Sequence, residues 1–190
     1  MSDLENLNIP IIGCLMQDIT VPLGSDQQRS IAKWAVKTSM VQDAIIARKR
    51  ELFFTKSERL TLRINTGFPL YTRVWLGRSS LSKLTASGTD HIGDINDGTK
   101  ILGIVNGCVH TFVVGRLVLE VATIHAPDKY NGRAFDVTPQ VLGPWDDLLI
   151  PIWPIDKAVN WPPPLMLKGQ RGISKLADRF NAGSPTVTWS

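Results

Sequence analysis

The stretch Ile101-Leu102-Gly103-Ile104-Val105-Asn106-Gly107-Cys108-Val109-His110-Thr111-Phe112-Val113-Val114-Gly115-Arg116-Leu117-Val118-Leu119-Glu120-Val121-Ala122-Thr123-Ile124 decides the fold. It is rich in β-branched residues and punctuated by glycine, the pattern of consecutive strands. Asn106-Gly107 predicts a tight hairpin between strands over 101–105 and 109–114. Gly115 predicts a bulge, and 116–124 continues as strand. Upstream, Pro69-Leu70-Tyr71-Thr72-Arg73-Val74-Trp75-Leu76-Gly77-Arg78-Ser79 reads as another strand. The Ser-, Thr-, Gly- and Asp-rich residues 80–98 read as a loop. Downstream, 126–147 is loop, 148–153 is strand, and a proline-rich coil runs through Trp161-Pro162-Pro163-Pro164.

Helices flank this sheet. Leu4, Leu7, Ile11 and Leu15 repeat at helical spacing over 2–16, where Pro10 should bend or divide the helix. A short extended segment over 18–23 follows. Ser25-Asp26-Gln27-Gln28 has the form of a capping box, opening a helix to about residue 47. On that helix Ile31, Trp34, Ala35, Thr38, Val41 and Ile45 share a face. A second helix spans 57–65, capped by Thr55-Lys56-Ser57-Glu58 and ended by Gly67. A last helix over 172–181 turns Ile173, Leu176 and Phe180 inward. Helices, then strands, then a closing helix define an α+β fold: N-terminal helices packed on an antiparallel sheet with a short C-terminal helix, in one domain over 1–190.

With 190 residues, 43% hydrophobic and 20% charged, the chain can bury an ordinary core. No 18-residue apolar run predicts a membrane span, and the acidic start Met1-Ser2-Asp3-Leu4-Glu5 is unlike a signal peptide, so a cytoplasmic protein with no membrane partner is expected. Cys14 and Cys108 are then expected as buried free thiols. The net charge of +4 permits nucleic-acid binding without demanding it.

Few constellations suggest chemistry. Asp90-His91-Ile92, with Asn106 and His110 downstream, has a superficial likeness to an HNH nuclease centre. The interval from His91 to His110 is too short, no C-x-x-C pair accompanies it, and the hairpin leads into strand instead of helix. A loop histidine and a strand histidine satisfied by hydrogen bonds is the plainer reading. Asp94-Ile95-Asn96-Asp97-Gly98 lacks the length and closing Glu of a calcium loop and reads as an acidic turn. No nucleophile elbow, phosphate loop or dinucleotide fingerprint occurs, and no cofactor or metal ligand set is implied. Six tryptophans, three beside proline, read as packing anchors. Basic residues form stripes: Arg29, Lys33 and Lys37 on the main helix, and Arg171, Lys175 and Arg179 on the last, with Arg48-Lys49-Arg50, Lys56, Arg59 and Arg63 between. Such stripes are solvated helix faces or contacts to double-stranded DNA.

Ile31-Ala32-Lys33-Trp34-Ala35-Val36-Lys37-Thr38-Ser39-Met40 resembles the R-W-A-V-K-T-A helix of bacterial HNH endonuclease-like proteins. Met1-Ser2-Asp3-Leu4-Glu5-Asn6, Thr72-Arg73-Val74-Trp75-Leu76-Gly77, Val114-Gly115-Arg116-Leu117-Val118-Leu119, Pro151-Ile152-Trp153-Pro154 and Trp161-Pro162-Pro163 resemble the same group in the same order. The likeness covers residues 1 to about 164. In that group a zinc-bound half with paired C-x-x-C motifs lies upstream and ends in a segment like C-N-x-G-W-M-S, whose last two residues Met1 and Ser2 match. The resemblance thus implies a C-terminal accessory region without the nuclease half. No metal ligand or catalytic histidine of the group carries over to a residue here. The expected role is non-catalytic, contacting DNA or bracing a zinc-bound nuclease domain. The alternatives are a stand-alone protein-interaction module, whose docking helix would be 2–16, and a cryptic metal-dependent nuclease centred on His91 and His110.

Overall fold

A computed structural model describes residues 3–47, 52–64, 67–93, 105–125 and 147–177. In chain order these form α1 (Asp3–Met16), β1 (Val21–Leu23), α2 (Ser25–Ile46), α3 (Lys56–Arg63), β2 (Thr72–Arg78), β3 (Thr85–Gly93), β4 (Val105–Val114), β5 (Leu117–Ile124), β6 (Leu149–Trp153), β7 (Val159–Trp161) and α4 (Gly169–Ala177). The fold is α+β, with N-terminal helices on an antiparallel sheet and a short C-terminal helix.

Every residue of β5 is buried, because this strand is covered on both faces and both edges. It lies at the centre of a five-stranded antiparallel sheet ordered β3-β4-β5-β2-β6. Strand alternation divides the core in two. Val74, Leu76, Cys108, Phe112, Leu117, Leu119 and Val121 share a core with Ile12 and Leu15 of α1 and Ile31, Ala35, Val36 and Met40 of α2. Trp75, Val109, Val113, Val118, Ala122 and Ile124 share the other core with Leu167 and with Ile173 and Leu176 of α4. The sheet is thus sandwiched, with α1 and α2 on one side and α4 on the other. A two-stranded sheet of β1 and β7 adjoins the first core. Among the described residues no helix is long and apolar enough to cross a membrane.

Several expectations are corrected. Asn106-Gly107 is not a hairpin turn but lies inside β4, where Gly107 pairs with Ile92 and with Ile124. The register with β3 shifts here, from Ile92–Gly107 to Gly93–Val105, so Asn106 falls at an irregularity in the ladder while Gly107 is paired on both sides. The hairpin closes instead at Gly115-Arg116, between the paired Val114 and Leu117. Gly115, expected as a bulge, takes φ +59°, the left-handed value a two-residue hairpin needs at its first position. A Cβ there would meet the Met16 carbonyl oxygen at 3.0 Å.

Residues 85–93, expected as loop, form β3 at the edge of the sheet. Thr85, Ala86 and Ser87 are exposed, so this strand keeps a polar composition. In α1, Pro10 lies within one undivided helix. The expected capping box at Ser25 is absent: Gly24 precedes α2 with no side-chain cap bond. Gln28 is buried, and its Nε2 donates to the Leu23 carbonyl at 2.8 Å and the Lys157 carbonyl at 2.9 Å.

The inward face of α2 is also rotated from the expected one. It comprises Gln28, Ile31, Ala32, Ala35, Val36, Ser39, Met40 and Asp43, while Val41 and Ile45 are exposed. Polar side chains go inward because distant groups satisfy them. α3 does carry the expected capping box, with Thr55 and Glu58 bonding each other's backbone amides. It ends at Arg63 with Ile64 as its cap, ahead of Gly67. Of the two thiols, both free, Cys108 is buried and Cys14 is only half-buried.

Candidate functional site

The basic stripes are not brought together. Arg29 is exposed on α2, with Lys33 and Lys37 half-buried beside the core-facing surface. Burial and then the neighbouring Arg29 charge hold the Lys33 ammonium below its ordinary value. Arg171 and Lys175 are exposed on α4, on the opposite side of the sheet. These helices cover different faces, so the two stripes make no continuous surface. Arg179 and Arg48-Lys49-Arg50 lie outside the described residues. On α3, Lys56 and Arg63 are exposed, while Arg59 turns its guanidinium onto the Phe54 carbonyl.

The histidines separate by environment. His91 lies in β3 opposite Cys108. His110 is fully buried, its Nδ1 2.6 Å from the Ser39 hydroxyl and 3.4 Å from the Cys108 sulfur. The His110 ring stacks with Phe54 and Phe112, its centroid 6.5 and 5.8 Å from theirs. The Ser39–His110 pair has the distance of a nucleophile and its base, but both side chains have zero exposure. A substrate cannot reach them, and their bond fixes α2 to the sheet. Among the described residues no three His, Cys, Asp or Glu side chains converge as a metal site. The acidic turn 94–98 lies outside the described residues.

The third histidine makes an accessible site that the sequence did not single out. His125 directly follows β5, and its Nε2 lies 2.9 Å from Oε1 of Glu58 in the first turn of α3. Its ring stacks on Phe53, with centroids 4.2 Å apart and planes 2° from parallel. The other Glu58 oxygen accepts from the Thr55 amide at 2.8 Å and the Thr55 hydroxyl at 2.9 Å. Glu58 and His125 both line a cavity of about 350 Å³. Ser57 and Thr61 of α3, the segment from Phe68 to Tyr71, and Ile124 also line it. Phe68 stacks on Trp153 of β6 at 3.9 Å, which ties that segment to the sheet. Tyr71 holds φ +54°, a left-handed conformation unusual for a bulky residue, at the cavity wall.

Burial raises the Glu58 carboxyl pKa, but the His125 hydrogen bond, the Thr55 amide, the His125 charge and the Thr55 hydroxyl together outweigh it. The net shift is below the ordinary carboxylate value. A carboxyl whose folded pKa is depressed stabilises the fold above its unfolded pKa, and that contribution is lost as pH falls through the folded value. Urea denaturation across acidic pH should therefore show Glu58→Gln with a flatter acid limb than the parent. Superimposable limbs would mean that Glu58 has no part in the acid sensitivity.

Comparison with protein-family models, curated proteins and solved structures returned no match.

Proposed function

We propose that this chain is a non-catalytic accessory region of an HNH endonuclease-like protein, whose work is to brace a zinc-bound nuclease domain in the cytoplasm. One observation carries this reading. Large apolar side chains stand open between residues 41 and 70: Val41, Ile45, Ile46, Leu52, Leu60, Ile64 and Leu70 are each between 41% and 74% exposed. Single exposed apolar residues are ordinary, but a concentration in one part of a chain suits a protein partner. These seven lie on the C-terminal half of α2, on and after α3, and before β2. Contacts of α2 with α3, and of Asp43 with the Phe53 and Phe54 amides, hold this part together. α1 already gives Ile12 and Leu15 to the core and leaves Ile9 exposed.

Sedimentation velocity tests the proposal. The chain is mixed with a separately produced zinc-bound domain carrying paired C-x-x-C motifs and the C-N-x-G-W segment. A complex is expected, and Val41→Asp with Ile45→Asp should abolish it while circular dichroism is unchanged. Independent sedimentation of the two at tens of micromolar would overturn it. A stand-alone interaction module would use the same surface on a different partner.

DNA contact is a second reading, motivated by the spacing of Arg29, Lys33 and Lys37 four residues apart along α2. Charge reversal of Lys33 and Lys37 should weaken duplex binding at low salt, whereas reversal of Arg171 and Lys175 on the far side should not. Unchanged affinity in the first variant sinks the DNA role.

A further inference from the structure

We infer that the cavity lined by Glu58, His125, Phe68 and Tyr71 binds a small organic amine, one ammonium nitrogen carried on an apolar body. The inference goes beyond the bracing role, since Leu70 alone of the open apolar side chains named above also lines the cavity. About 350 Å³ is the lower end of the range for small-ligand pockets.

Charge sets the class of ligand. Among the described residues no lysine or arginine lines the cavity, and Arg59 of α3 is turned to the Phe54 carbonyl. The lining carries one carboxylate, Glu58. Burial alone would favour its protonated form, but the bonds from His125 and Thr55 hold it ionised. While the His125 ring is neutral, the hydrogen-bonded pair keeps one negative charge. Acceptor capacity also remains. Oε2 of Glu58 accepts twice from Thr55, but Oε1 accepts only from His125 among the described residues, and a carboxylate oxygen has two lone pairs. A ligand N–H can take the second. The Ser57 hydroxyl, also in the lining, is a further acceptor.

The rest of the lining suits an apolar body: Phe68, Pro69, Leu70, Tyr71 and Ile124. Phe68 and Tyr71 bring aromatic rings, whose faces attract cations as well as apolar groups. Packing holds these groups in place before a ligand arrives. Phe68 stacks on Trp153, His125 stacks on Phe53, and Ile124 is 1% exposed at the end of β5. A pocket so held needs little ordering when it is filled. This apolar lining suits an aryl or branched body larger than the stem of a lysine side chain, which favours a free amine over a lysine of a partner protein.

The test titrates the full, isotope-labelled chain with phenethylamine by NMR at about pH 8, where imidazoles in general are neutral and alkylamines charged. Phenethyl alcohol and hydrocinnamate serve as the neutral and anionic counterparts. The amine should shift the amide signals of Ser57, Glu58, Thr61 and Ile124 and bind about tenfold more tightly than the alcohol, with the acid weaker still. Glu58→Gln should abolish that preference. Because Glu58 also caps α3, Leu70→Lys is the second variant. It changes a side chain that is 74% exposed, so the fold should stand, and the added cation should weaken the amine about tenfold relative to the alcohol. Equal affinity for amine and alcohol, no shifts in the millimolar range, or an undiminished preference in a folded Glu58→Gln or Leu70→Lys chain overturns the inference. A lysine-containing peptide that binds more tightly than phenethylamine also overturns it and gives the pocket to a protein partner.

Discussion

Replacing Trp75 by alanine should lower the unfolding free energy by about 3–5 kcal/mol. Trp75 lies on β2, which sits between β5 and β6, and pairs with Glu120 on one side and Pro151 on the other. It is 1% exposed and belongs to the core that includes Ile173 and Leu176 of α4. Truncation removes the largest fully buried side chain of that core and leaves a cavity that a two-sided sheet closes poorly. Marginal stability of about 5–15 kcal/mol makes such a loss a large fraction of the total. Urea denaturation should show a lower midpoint with an unchanged slope. Trp75→Phe, which keeps most of the volume, should lose much less. A loss below about 1 kcal/mol for alanine would mean the layers around β2 collapse freely into the space.

Asp43→Ala should cost about 2–4 kcal/mol. The Asp43 carboxylate is 1% exposed and accepts from the amides of Phe53 at 2.8 Å and Phe54 at 3.3 Å. Removing it leaves two amides without that acceptor in a place where Phe53 and Phe54 are themselves buried, so water replaces it poorly. The damage should reach the cavity, because Phe53 supports the His125 ring. Faster hydrogen exchange at the Phe53 and Phe54 amides, together with a lower denaturation midpoint, is the expected readout. Asp43→Asn retains one acceptor oxygen and should fall between parent and Ala. Exchange as slow in the alanine variant as in the parent would show that other groups hold this loop.

Local signals were legible where local forces decide. The apolar run over 117–124 announces a strand, and Thr55 with Glu58 announces the start of α3. Long-range satisfaction was not legible. Periodicity placed Val41 and Ile45 inward on α2 and overlooked Gln28, Ser39 and Asp43, whose partners lie 129, 71 and 10 residues away. The Asn106-Gly107 pair carried a genuine local irregularity, which the fold uses at a register shift inside β4 instead of at a hairpin turn. The cavity follows the same rule. Glu58 was readable as a cap, but nothing in the sequence joins it to His125, 67 residues on. The basic stripes were readable helix by helix. That α2 and α4 occupy opposite sides of the sheet depends on where the chain crosses, which hydrophobic spacing does not encode.

The sheet order has a bearing on how the chain reaches its fold on the ribosome. β5 joins β4 through a two-residue turn, but its other edge is closed by β2, with Thr72 pairing to Thr123 across 51 residues. During synthesis β2 has left the exit tunnel before β5 is made, so the most apolar strand emerges with its partner for that edge already waiting. Of the five-stranded sheet only β6 has still to arrive, and it closes the far side of β2, while α4 comes later to cover one face. Refolding from denaturant has no such schedule: the β4–β5 hairpin can close first and stand with an open apolar edge until β2 finds it. Birth order along the chain thus shelters a strand that dilution from urea would expose to aggregation.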